Sequence, residues 1–102
     1  MRMIVFFDLP TNTPQQRHNA TLFRNFLLKD GYYMVQYSVY ARVCNGLDSV
    51  KTHENRLQAS LPDNGSVRLL VVTEKQYEAI RILVGKLVPE EIASPTEQLS
   101  IF

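Results

Sequence analysis

Asp8 follows the apolar run Met3-Ile4-Val5-Phe6-Phe7 directly and precedes Leu9-Pro10. A carboxylate at the mouth of a strand-to-helix loop is held rigidly yet faces solvent, which is where sites tend to sit on such a scaffold. One carboxylate cannot fill the shell of a magnesium ion, which takes further oxygens from protein, water or phosphate. Two-fold symmetry changes that: two copies of Asp8 facing one another can hold a hydrated cation against a phosphodiester, where it stabilises charge and activates water. The same residue in the same place also reads as an Asx-turn that accepts loop amides.

A second candidate lies a few residues on. Arg17, Thr21, Arg24 and Leu28 recur at spacings of four, three and four, one line of a helix opposite Phe23 and Leu27. The helical rise separates the two guanidinium groups by about 10 Å. With Thr13 and the helix N-terminal amides beside them they form a ladder suited to phosphates, the alternative being two solvated surface arginines. Tyr32, Tyr33, Tyr37 and Tyr40 offer a stacking platform for bases, although their alternation divides them between two sheet faces and favours packing. Cys44 and His53 read as packing residues, and His18 as an exposed helix residue. No Gly-rich phosphate loop, nucleophile elbow or paired metal-binding histidines occur, which excludes most familiar enzyme classes.

The elements that must position these residues follow from periodicity. Met3–Phe7 lacks polar alternation and is β-branched and aromatic, the signature of a central strand. Thr13-Pro14-Gln15-Gln16 is a capping box with proline in the first turn. Ala20, Phe23, Phe26 and Leu27 give the helix its buried stripe, and Gly31 stops it, so a helix is expected over Pro14–Asp30. From Tyr32 to Val43 the period is two, with Tyr33, Val35, Tyr37, Val39, Ala41 and Val43 on one face. Twelve residues exceed an ordinary strand, so two strands joined near Gln36 are expected. Asn45 and Asp48 are placed to cap a second helix carrying Leu47, Val50, Leu57 and Leu61, ended by Pro62-Asp63-Asn64-Gly65, and Val67–Val72 forms a fourth strand.

The order strand, helix, strand, strand, helix, strand is that of an α+β, ferredoxin-like βαββαβ domain with both helices on one face of an antiparallel sheet. Its other face is bare and apolar, and a two-fold homodimer is the expected cover. Thr73-Glu74-Lys75-Gln76 opens a second capping box, while Ile80-Arg81-Ile82-Leu83-Val84 alternates as a strand would; propensity alone does not choose between them. Residues 1–85 form the domain, and 86–102 form an acidic linker with a short apolar end at Leu99, Ile101 and Phe102.

The chain has 102 residues, 45% apolar and 21% charged, one hydrophobic core's worth. A single cysteine and no long apolar stretch point to a reducing, cytoplasmic setting without a membrane role. A net charge of +1 does not mark a nucleic-acid binder. Its distribution is uneven: residues 1–60 carry seven basic and four acidic side chains, the remainder four and six.

Met1-Arg2-Met3-Ile4-Val5-Phe6-Phe7-Asp8-Leu9-Pro10, the helix bearing Arg17 and Arg24 with Phe23 and Phe26-Leu27, and Gly31-Tyr32 with Gln36-Tyr37-Ser38-Val39-Tyr40 together resemble the CRISPR-associated protein 2 family of small adaptation proteins. Leu69-Leu70-Val71-Val72-Thr73-Glu74-Lys75-Gln76 is similar to members from type II systems. The resemblance spans residues 1–85 and implies a ferredoxin-like homodimer whose chain crosses to the partner after the fourth strand, which favours an additional C-terminal strand near Ile80–Val84. It implies that the dimer bridges two dimers of the CRISPR integrase around protospacer double-stranded DNA. By position, Asp8 matches a carboxylate that ligates a magnesium ion shared between subunits of a metal-dependent nuclease acting on DNA or RNA. Arg17 and Arg24, with Thr13, match the positions facing the DNA backbone, and the apolar end with Leu99, Ile101 and Phe102 matches the region that docks on the integrase. A ferredoxin-like regulatory module and a toxin-like ribonuclease are the competing readings.

Overall fold

A computed structural model of the chain describes residues 1–91. Strand β1 (Arg2–Asp8) is followed by helix α1 (Pro14–Lys29), strands β2 (Tyr33–Gln36) and β3 (Val39–Val43), helix α2 (Leu47–Ala59), strand β4 (Ser66–Val72) and a short helix α3 (Glu74–Glu78). One 3₁₀ turn covers Pro89–Glu91. The four strands form one antiparallel sheet in the order β2-β3-β1-β4, the ferredoxin-like order expected from the sequence.

Both long helices cover the same face. Met3 and Val5 of β1, Phe23 and Leu27 of α1, Tyr32, Tyr40 and Cys44, and Val50 and Leu57 of α2 form one buried cluster. Met3, Val5 and Leu27 are fully enclosed, each contributing on the order of 1.5–3 kcal/mol through removal of apolar surface from water. The Phe7 ring meets Phe23 edge to face at 5.3 Å and lies 5.6 Å from Tyr40, so α1 is seated over the end of β1 by aromatic contacts.

The expected capping box starts α1: Thr13 Oγ1 accepts the Gln16 amide at 3.1 Å, and Gln16 Oε1 accepts the Thr13 amide at 3.1 Å. Its far end is fixed by Asp30, whose side chain is 9% exposed. Arg56 Nη1 of α2 donates to Oδ1 at 3.0 Å, and His53 Nδ1 lies 2.8 Å from Oδ2. Arg42 of β3 donates to the Asp30 carbonyl. His53, expected as a packing residue, thus ties α2 to the end of α1. Burial alone pushes the Asp30 carboxyl up, but the hydrogen bonds and charges of His53 and Arg56 outweigh it and hold the group below its usual range.

Two expectations need correction, and the hairpin between them is located. The second helix takes Gly46, not Asn45 or Asp48, as its N-cap and receives no side-chain cap; Asp48 instead lies in the first turn, complementing the helix dipole. The two strands expected to join near Gln36 do so, with the turn at Tyr37-Ser38; Ser38 takes φ +63 in the role a glycine or asparagine usually fills, and the ladder shifts register between Met34 and Gln36. The additional strand near Ile80–Val84 does not form. The Thr73–Gln76 capping box wins and starts α3, while Leu83 and Val84 are 90% and 96% exposed. A strand needs a ladder partner, and this segment pairs with no backbone among the described residues.

Helix α3 instead closes part of the bare sheet face. Tyr77 is buried against Ile4 and Ala41 with Tyr33, Val35, Val39 and Val72 around them. Beside it Arg2 is buried: Nε lies 3.0 Å from both Glu74 carboxylate oxygens, Nη1 donates to the Tyr33 hydroxyl and to the Glu90 carbonyl, and the guanidinium stands 4.4 Å from the Tyr77 ring centre. The Tyr77 hydroxyl donates to Glu91 at 2.6 Å. Leu99, Ile101 and Phe102 lie outside the described residues.

Two substitutions test this frame. Asp30 has a lowered carboxyl pKa, so its contribution is complete above the ordinary carboxylate value of about 4 and is lost as pH falls through the lower folded value. Urea midpoints measured downward from about pH 5 should therefore fall less steeply in Asp30→Asn, which starts from lower stability, than in the parent; equally steep acid limbs would remove Asp30 from that role. Gly65 sits at φ +100, and a Cβ there would lie 2.6 Å from the Asp8 carbonyl oxygen and 2.8 Å from Leu9 Cδ2. Gly65→Ala should cost about 1–3 kcal/mol in urea unfolding, and an undiminished stability would show that the β1 end yields freely.

Candidate functional site

Asp8 ends β1 opposite Ser66 of β4, with the Phe7 amide donating to the Ser38 carbonyl at 3.1 Å across the sheet end. The backbone under the carboxylate is thus fixed from both sides, by the hairpin turn and by the β4 entry that Gly65 allows so close. The side chain is exposed. It borders a cleft of about 280 Å³ on the helix-covered side, between the β1–α1 loop, α1 and the hairpin, lined by Leu9, Thr11, Arg24, Met34, Tyr37 and Tyr40 among others.

Arg24 lines this cleft two helical turns after Arg17. Its cation faces the Tyr40 hydroxyl region: burial pushes the Tyr40 hydroxyl up, and the Arg24 charge pulls the other way. Asp8 and Arg24, expected from opposite considerations, are therefore brought to one cleft. Arg17 is not among its lining residues. Its guanidinium folds back onto the loop, Nη1 donating to the Thr11 carbonyl at 3.1 Å, and remains exposed one line along the helix. Thr13 serves as the helix cap, its oxygen already accepting from Gln16. The tyrosines divide as their alternation requires, Tyr32 and Tyr40 packing under the helices and Tyr33 on the other face. Tyr37 is the exception, 84% exposed at the hairpin tip beside the cleft.

Sequence reasoning passed over several residues here. Ser38, Ser66 and Arg68 border a second depression on the other side of Asp8. The signal for Arg68 was available: along Ser66–Val72 it is the charged member of an alternating strand. Arg2 gave no such signal, because a buried arginine is recognisable only from the partners that surround it.

The chemistry of the donors is that of hard oxygen ligands. Among the described residues no group of three or more His, Cys, Asp or Glu side chains gathers to hold a metal. His53 is tied to Asp30, and Cys44 is buried in the core. One exposed carboxylate flanked by serine hydroxyls fits a magnesium ion carried largely by water and completed from elsewhere, and does not fit a zinc site. Among the described residues no helix is long and apolar enough to cross a membrane.

Comparison with known proteins places the chain in a family. The family described as CRISPR associated protein Cas2 matches residues 1–80. The chain is 49% identical over 102 residues to the CRISPR-associated endoribonuclease Cas2 of Acidovorax ebreus, covering 100% of both chains. It is 40% identical over 102 residues to the protein of that name from Campylobacter jejuni, covering 100% of this chain and 71% of the relative. Among solved structures, the crystal structure of Streptococcus pyogenes Cas2 at pH 6.5 superposes with a TM-score of 0.63 at 20% identity, over 82% of this chain and 100% of that one.

Proposed function

The chain belongs to the CRISPR-associated Cas2 family, and we propose that it serves CRISPR adaptation in the cytoplasm as a two-fold homodimer that holds double-stranded DNA by its phosphates and carries a phosphodiester-cleaving site at Asp8. The observation that carries this reading is the cleft at the end of β1 that both Asp8 and Arg24 line, with Arg17 exposed on the same helix. Duplex phosphates run past such a row without their bases being read, so binding is independent of sequence. Two arginines per protomer become four in a dimer. That supports a local phosphate grip despite a net charge of only +1.

Asp8, with its copy in a second subunit, would hold a magnesium ion, which would supply charge stabilisation and an activated water when bound. The chain's own residues do the rest: Asp8 presents its carboxylate from a strand end fixed on both edges, and Arg24 neutralises a phosphate oxygen beside it. The integrase is the proposed partner, with Leu99, Ile101 and Phe102 as the docking segment by family resemblance. The names of the relatives, endoribonucleases, favour RNA as the cleaved substrate, a second reading that uses the same carboxylate.

Two variants separate the parts. Asp8→Asn should abolish magnesium-dependent cleavage, followed on labelled RNA and duplex DNA, while duplex binding stays within about twofold; equal cleavage by the variant would move the active site elsewhere. Arg17→Ala with Arg24→Ala should weaken duplex binding by the integrase-bound dimer. The slope of log affinity against log salt should flatten by about 0.9 for each phosphate that is no longer neutralised, and an unchanged slope would take both arginines out of the interface.

A further inference from the structure

Four of the five tyrosines find cover in the fold. Tyr32, Tyr40 and Tyr77 are buried, and Tyr33 packs on the other sheet face with its hydroxyl bonded to Arg2 and Tyr77. Tyr37 alone presents its aromatic ring to water, forgoing the burial that makes such a side chain stabilising.

The main chain beneath that ring is fixed. Ser38 takes φ +63, a region that residues other than glycine enter seldom and at a cost. Strand β2 pairs with β3 as far as Gln36 and Val39, and the Ser38 carbonyl accepts the Phe7 amide at 3.1 Å, so the turn is tied to the strand that carries Asp8. The ring lines the cleft of Asp8 and Arg24 together with Met34. Met34 stands opposite Tyr40, which packs under the helices; this wall therefore belongs to the helix-covered side of the sheet. Tyr37 reaches the same side, for burial pushes the Tyr40 hydroxyl up, Arg24 pulls it down, and Tyr37 adds to the rise. The face expected to meet a second copy is the opposite one, where Ile4, Ala41 and Val39 lie.

Arg24 suits a phosphate oxygen, but neither it nor Asp8 offers a surface to a base. Tyr37 does: a flat aromatic face stacks on any base, whatever the sequence. The polarisable thioether of Met34, half-exposed on the edge strand β2, extends that wall. Inside a duplex each base has both faces covered by its neighbours, so only a base released from pairing can lie on such a ring. We propose that Tyr37, with Met34 beside it, is a base-stacking residue of the Asp8 and Arg24 cleft, holding an unpaired nucleotide whose phosphate meets Arg24. This rests on the reading of that cleft as a phosphodiester site, and adds to it the form of strand the cleft selects, one with free bases in preference to a continuous duplex. A duplex lying along Arg17 and Arg24 leaves the ring unused.

The test uses the full chain in the Asp8→Asn background, so that no strand is cut, with labelled single-stranded RNA, single-stranded DNA and a blunt DNA duplex as probes. Tyr37→Ala and Tyr37→Leu should each weaken single-strand binding about tenfold, within the range for loss of one stacked base, and Tyr37→Phe should restore it. The salt slope should not change, because no phosphate contact is lost, and duplex binding should stay within about twofold. Loss confined to RNA or to DNA identifies the strand the cleft takes, and loss on both admits either. Loss on neither, or an equal loss on duplex, overturns the stacking subsite. The chain has no tryptophan, so Tyr37→Trp supplies a lone emitter that single strands should quench and duplex should not; quenching by both alike, or by neither, overturns the subsite too. Light scattering on Tyr37→Ala tests the rival role, packing against a second copy, and a lost dimer would count against stacking. Cleavage by the unaltered chain is scored separately. If it is absent while Tyr37→Ala still loses single-strand binding, the nuclease reading fails and the subsite stands; if cleavage is present and binding is indifferent to Tyr37, the subsite fails alone.

Discussion

Strand β1 is hydrogen-bonded along both edges, to β3 from Arg2–Val43 to Phe6–Val39 and to β4 from Arg2–Val72 to Asp8–Ser66. That double pairing is the constraint on which everything else depends. It buries Met3 and Val5 completely beneath the helices, sets which side chains fall on which face, and ends with Asp8 at the rim of the sheet. An acidic side chain on a loop would wander; here the main chain beneath it is held at successive residues and cannot rotate without breaking the ladder. Gly65 is the price of that closeness, since any side chain would collide with the Asp8 carbonyl.

The two faces of the sheet solve their exposure in different ways. Under α1 and α2 the solution is apolar packing, reinforced at the far end of α1 by the Asp30, His53 and Arg56 cluster, which fixes the helix that carries Arg17 and Arg24. On the other face the chain uses α3 and a polar network. Arg2 is taken out of water but meets Glu74, the Tyr33 hydroxyl, the Glu90 carbonyl and the Tyr77 ring. Removing a single partner from such a network leaves the others unsatisfied, so its members act as a unit. Burial, together with the Glu91 and Tyr33 contacts, pushes the Tyr77 hydroxyl well up from its ordinary value, and it stays a donor holding Glu91. The segment that follows the domain is thereby tied to the uncovered face at Glu90 and Glu91, short of the end where Asp8 and Arg68 stand.

What was legible in the sequence was what depends on periodicity or on local capping chemistry. The unalternated run Met3–Phe7 had to be central, and Thr13 with Gln16 had to open a helix, because each signal is complete within a few residues. The Tyr37-Ser38 turn was hidden because Ser38 takes a positive φ that serine seldom adopts, and the tertiary pairing of β2 with β3 imposes it. Gly46 as an uncapped helix start left no mark for the same reason: docking of Val50 and Leu57 stabilises α2 without a side-chain cap. The segment Ile80–Val84 alternates like a strand, yet alternation records only which side chains are apolar and says nothing of whether an edge is available to pair with. For the site, Asp8 and Arg24 were found by type and spacing, whereas Arg68 needed the register of β4 against β1 to show that it shares a face with the acid.

A charge of +1 spread over 102 residues would attract a polyanion weakly at long range, and salt would screen most of that attraction. The structure concentrates cations instead. Arg24 and Arg68 stand on opposite faces of one sheet end, with Arg17 one line along the helix. Two acidic residues are paired with cations away from this end: Asp30 with Arg56 and His53, and Glu74 with Arg2. Those pairings offset the two acids' charges within the fold. Local arrangement, not total charge, then sets where cations gather in this fold: at the sheet end where the one carboxylate of β1 is already fixed.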